Sequence, residues 1–107
     1  MVSRSALGPA IDGNLNVIID LSVGDEQDVS VVPGRLVAII VDTVLSAHTV
    51  KVNDGARLMV TLPASLAAGA NYPMHNMEFA EGLSIERTNA AATGKLVVVY
   101  QPYPEIV

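Results

Sequence analysis

The 107-residue chain has no cysteine and no tryptophan, one phenylalanine and three tyrosines. Without cysteine, disulfides and thiolate metal sites are both excluded, and the redox state of the compartment leaves no trace in the sequence. The shortage of aromatics limits the core. Half of the residues are hydrophobic, but they are mostly Val, Ala, Leu and Ile, which bury less area each. At about 25 cal/mol per Å² a core built from them stabilises less than an aromatic-rich core of equal length. Association between subunits is a common remedy for a thin core.

Charge is scarce too. Six basic and eleven acidic residues give a net charge of −5. The basic ones never cluster along the chain, so the phosphate-neutralising face that nucleic-acid binding requires is not expected. Charged residues make up 16% of the chain, against about 25–35% for a well-solvated surface. With a mean hydropathy of +0.43, apolar residues should therefore also lie in subunit contacts outside the core. No run approaches the ~18 apolar residues of a membrane span, and the opening MVSRSALGPAIDG has no apolar stretch suited to a signal peptide. Neither export by that route nor a membrane partner is expected.

What is present is a series of short segments rich in Val, Ile and Thr, bounded by Gly, Pro, Asn and Asp. Residues 1–13 mix Ser, Gly and Pro with isolated Val2, Leu7 and Ile11, which suits an extended arm. Strands are expected at 15–22, at 28–32, where polar and apolar residues alternate, and at 35–44. The run at 35–44 is almost continuously apolar, so both of its faces should be covered. Its β-branched content and the poor cap at Gly34 argue against a helix. Residues 48–54 and 57–62 read as a hairpin, in which Asn53-Asp54-Gly55 supplies the positive φ of a type I′ turn. Residues 63–70 read as a loop or a single helical turn. Short extended pieces follow at 72–74 and 77–79, then strands at 83–88 and 95–102, where Pro102 and Pro104 end the pattern. About eight or nine strands at a spacing of about 8–12 residues predict an all-β, antiparallel β-sandwich, with a jelly roll as the expected form. The organisation is an arm at 1–13, a β-sandwich domain at 14–102 and a tail at 103–107.

Catalytic chemistry finds little support. His48 and His75 lack metal-ligand spacing. His75 and Glu78 form an HxxE pattern, but a strand there would turn Met77 and Phe79 to the core and Glu78 to water. Asp25, Glu26 and Asp28 could offer oxygens to a cation, yet their spacing is not that of a calcium loop, and a solvated turn explains them. No nucleophile elbow and no phosphate-binding glycine loop occurs. The expectation is a protein that is not an enzyme, with no catalytic residues, no bound metal and no cofactor. Among the aromatics, Phe79 and Tyr100 suit packing positions. Tyr103, between two prolines, is the one plausible exposed ring.

The order of RLVAIIV, VKVNDG, the TLPAS..AAG loop, NMEFAEGLSIE and ATGKLVVVY, spanning residues 35–101, resembles the small β-sandwich virion proteins of tailed bacteriophages, the cement or decoration class. The resemblance implies a jelly-roll subunit that assembles with itself, commonly as a homotrimer. It further implies that the subunit is made in the host cytoplasm, binds the capsid exterior and clamps neighbouring major capsid protein subunits. On that reading Val2, Leu7 and Ile11 of the arm and Tyr103 and Ile106 of the tail are the candidate partner-binding residues. The alternative is a fibre or head-surface module that recognises host glycan, with Tyr103 as the stacking platform.

Overall fold

The computed structural model describes residues 14–103, so the arm residues Val2, Leu7 and Ile11 and the tail residue Ile106 lie outside the described residues. Among the described residues there are eight strands and no helix: β1 (Leu15–Asp20), β2 (Glu26–Ser30), β3 (Gly34–Thr43), β4 (Val50–Asp54), β5 (Arg57–Leu62), β6 (Asn71–Phe79), β7 (Leu83–Arg87) and β8 (Lys95–Pro102). They form two four-stranded antiparallel sheets, ordered β1-β8-β3-β6 and β2-β7-β4-β5. The protein is an antiparallel β-sandwich.

The sheets pack through one core. Ile19, Leu36, Ile39, Leu96, Val98 and Phe79 come from the first sheet, and Val50, Val52, Leu62, Leu83 and Ile85 meet them from the second. Only one aromatic, Phe79, is fully buried, and the rest of the space is filled by aliphatics whose branched side chains suit a pleated surface.

In β3 the buried positions run Gly34, Leu36, then Ile39, Val41. The two-residue period slips by one at a bulge between Leu36 and Ala38. An extra residue, Val37, lets a ten-residue strand bend while keeping its apolar set pointed inward. Opposite it, β6 carries Met74, His75 and Asn76 between the paired Pro73 and Met77. His75 and Asn76 have φ of 53° and 56°, left-handed values that His and Asn tolerate better than most residues. The two extended pieces expected at 72–74 and 77–79 are thus one bulged strand. Met77 lies after the bulge, on the same face as Phe79 and opposite the buried Leu36, yet it is 39% exposed on this edge strand, so it is not buried with Phe79 as alternation alone predicts.

Other boundaries differ from the sequence pattern: the strands expected at 15–22 and 83–88 end at Asp20 and Arg87, and the one expected at 28–32 starts at Glu26. Val31 and Val32 leave the sheet after Ser30, whose hydroxyl bonds both the N–H and the C=O of Val32, a local arrangement that competes with the ladder. His48 precedes β4 without joining it. Ser46, two residues before it, is tied to loops instead, its N–H donating to Thr93 O and its C=O accepting from Ser65 N–H. In the β4–β5 hairpin only Gly55 has positive φ, at 59°. Positive φ at the first central residue alone is the II′ pattern, not I′, and Asn53 and Asp54 remain within the strand.

Candidate interaction surfaces

The residues that sequence reasoning offered for chemistry do not converge. His48 is half-buried ahead of β4, whereas His75 is exposed on the β6 bulge. Glu78 is engaged by Tyr103, not by His75. Asp25 turns to Arg87, whose Nε and Nη2 both donate to its Oδ1 at 3.0 and 2.8 Å. Glu26 turns the other way and accepts from Ser84 Oγ at 2.7 Å. Among the described residues no group of three or more His, Asp or Glu is placed to hold a metal ion.

The outer face of the second sheet is polar. Glu26 and Glu86 are register partners, and the Asn53 amide donates to both, at 3.4 Å and 2.9 Å. A shallow cleft of about 200 Å³ opens beside them, lined by Glu26, Asp28, Ser30, Glu81 and Ser84 among others. Its carboxylates make it acceptor-rich.

Asp54, expected in a turn, is instead the principal buried anion. Its carboxylate is 4% exposed and accepts from Ala80 N–H at 3.0 Å, Glu81 N–H at 2.8 Å and Gly82 N–H at 3.4 Å, and from Arg57 Nη2 at 3.0 Å. Gly55 N–H also donates to Gly82 O at 3.0 Å. Together these bonds lock the β4–β5 hairpin to the β6–β7 turn. Burial alone would raise the Asp54 pKa, but the backbone N–H donors and the Arg57 guanidinium outweigh it and hold the carboxyl at about 2. Little in the local sequence marked it, because apart from Arg57 its donors are backbone N–H groups 26 to 28 residues away in another turn.

The outer face of the first sheet is different in kind. Since Ile19, Leu96, Val98, Ile39 and Val41 point inward, their alternating neighbours point out. Register places Ile18, Val97, Ile40 and Asn71 in one cross-strand row, and Asn16, Val99, Ala38 and Pro73 in the next, so the apolar residues are central and an asparagine sits at one end of each row. Ile18 is 62% exposed, while Val97, Val99, Ala38 and Ile40 are half-buried. One end of this band is closed by the Asp20–Lys95–Thr43 row and the other by Arg35, Gln101 and Glu78. An antiparallel sheet facing water normally turns polar side chains outward, so an apolar band here marks a surface suited to contact.

Tyr103 closes the described chain at the polar end of this band. Its N–H donates to Pro33 O at 2.9 Å, and its ring lies 5.9 Å from the Arg35 guanidinium. Partial burial and a hydrogen bond to Glu78 raise its pKa, against the opposing pull of Arg35. The side chain is half-buried and pinned to its own domain. Arg35 Nη2 in turn donates to Gln101 Oε1.

No protein-family model matches the chain, and no curated protein matches it. The surfaces themselves are therefore the guide to what the molecule does: a polar, acceptor-rich face on one sheet and a largely apolar outer face on the other.

Proposed function

We propose that the protein is a structural virion subunit of the cement or decoration type, which binds the outside of a tailed-phage capsid and stabilises contacts between major capsid protein subunits. The observation that carries this reading is the apolar outer face of the β1-β8-β3-β6 sheet, centred on Ile40 and Val97. Such a face loses exposed apolar area on docking, at about 25 cal/mol per Å², and needs no catalytic group to act. The order of the strands, β1-β8-β3-β6 over β2-β7-β4-β5, supports a jelly roll built from eight strands in two sheets. The likeness of residues 35–101 to small virion proteins supports the setting. Binding to an assembled shell stabilises the folded subunit by mass action.

The test is co-sedimentation of the purified protein with mature heads of the phage that carries its gene. The expected result is saturable binding that is lost on Ile40→Lys, with the circular dichroism spectrum unchanged. No binding by the wild type, or full binding by the variant, overturns the proposal. The arm residues Val2, Leu7 and Ile11 and the tail residue Ile106 are proposed as a second set of contacts, tested by deleting residues 1–13 in the same assay.

A further inference from the structure

A sheet edge is a row of unpaired N–H and C=O groups, and proteins block such rows with charge, proline or bulges. Of the four edge strands among the described residues, three carry these devices. β6 contains Pro73 and the left-handed pair His75 and Asn76. β2 contains Glu26 and Asp28 and a register shift before Ser30. β5 begins at Arg57 and slips register between Leu58 and Val60. β1 has none of them. Its six residues, LNVIID, pair with β8 without a shift, contain no proline and carry charge only at the terminal Asp20.

We propose that the outer edge of β1, which no strand among the described residues covers, pairs antiparallel with β1 of a second copy, about a two-fold axis at Ile18, to join two four-stranded sheets into one of eight strands. Self-complementarity argues for a second copy over any other occupant. Leu21 N–H donates to Gly94 O at 2.9 Å, which by alternation turns Asn16, Ile18 and Asp20 toward the free edge. Asp20 C=O already accepts from Val23 N–H and Gln27 Nε2, which closes the ladder at that end. Centring the axis on Ile18 sets the Ile18 N–H of each copy against the Ile18 C=O of the other. It also sets each Asp20 N–H against the Asn16 C=O across the axis and puts the Asn16 amide beside the Asp20 carboxylate. The exposed Ile18 side chains meet on the outer face, and the Ile18–Val97–Ile40 row runs unbroken through the axis. A two-fold contact of this kind is closed and isologous, unlike the homotrimer that the virion resemblance implies. The inference does not depend on the capsid reading.

The experiment is sedimentation equilibrium of the full chain over about 1 μM to 1 mM, the span in which a small interface dissociates. The expected result is a mass rising from 11.2 kDa toward twice that value. Ile18→Lys, which sets like charges against each other, and Ile18→Pro, which removes an outward N–H while sparing the ladder to β8, each raise the midpoint concentration at least tenfold, with circular dichroism reporting the fold. Ile40→Lys, one strand further in from β8 on the same face, leaves the midpoint unchanged. A constant monomer mass overturns the proposal, as does a trimer or a dimer insensitive to Ile18→Lys. Loss of the dimer in Ile40→Lys also overturns it, by showing that the contact is made through the face and not the edge.

Discussion

Protonating Asp54 removes the charge that three backbone N–H groups and Arg57 were arranged to meet, and the stability that this charge supplies can be worked out from the site. The carboxyl titrates at about 2 in the folded protein against an ordinary value of 3.8. At about 1.36 kcal/mol per pH unit the difference corresponds to roughly 2 kcal/mol. Arg57 is 66% exposed and clefts open beside the carboxylate, so solvent screening reduces this to about 1–2 kcal/mol. The folded-state pKa is depressed, so the contribution is complete above about pH 4 and is lost as pH falls through 2. Urea unfolding of the wild type and of Asp54→Asn, each at pH 5 and pH 2, isolates it, because the other carboxylates titrate alike in both proteins. The wild type should lose about 1–2 kcal/mol more than the variant between the two pH values. At pH 5 the variant should already be about 2 kcal/mol less stable, since an amide cannot accept from both Ala80 and Glu81 without presenting its own N–H to one of them. Parallel losses in the two proteins would refute the assignment of Asp54 as the clamp between the two turns.

Two further expectations concern packing. Gly34→Ala would place a Cβ 2.9 Å from Phe79 Cζ and from Pro102 Cα, and since the second of these is backbone the β3–β8 ladder must shift. A loss of about 1–3 kcal/mol is expected in thermal unfolding, whereas Gly24→Ala, with nothing within 4 Å, should change stability by no more than about 0.5 kcal/mol. Phe79→Ala should cost about 3–5 kcal/mol, because Phe79 is the largest fully buried side chain and the surrounding aliphatics cannot close the gap. A loss below about 1 kcal/mol in the urea midpoint at unchanged slope would show that the core collapses around it.

The strands that were easiest to read in the sequence are those whose partners matter least to their character. Lys95–Pro102 appears with the boundaries expected of it, because its apolar run is long, β-branched and stopped by proline. The run from Arg35 was also legible as a strand. Its outward residues from Arg35 to Ile40 proved half-buried. The boundaries that moved did so where one side chain or a distant loop intervened: Ser30 folded Val31 and Val32 out of the sheet, and Ser46 held the approach to β4 against the loops at 65 and 93.

The surfaces were less legible than the strands. Low charge and a thin aliphatic core indicated unpartnered apolar area somewhere, but not its location. Ile18, Ile40 and Val97 are up to 79 residues apart in the sequence and form one row only because β1, β8 and β3 are neighbours in the sheet. The acidic turn at 25–28 looked like a cluster, yet Asp25 and Glu26 diverge to Arg87 and Ser84 on another strand.

By itself, the sequence determined the class of the molecule. Period-two patterning, β-branched composition and turn residues are local properties, and they are sufficient to specify strands and their inward faces. Strand order, the slip at Val37, the burial of Asp54 and the choice of which edge stays unguarded were decided by the tertiary structure. Each of these depends on which distant segments become neighbours, and a residue's environment in a sandwich is set by the strand beside it and the sheet across from it.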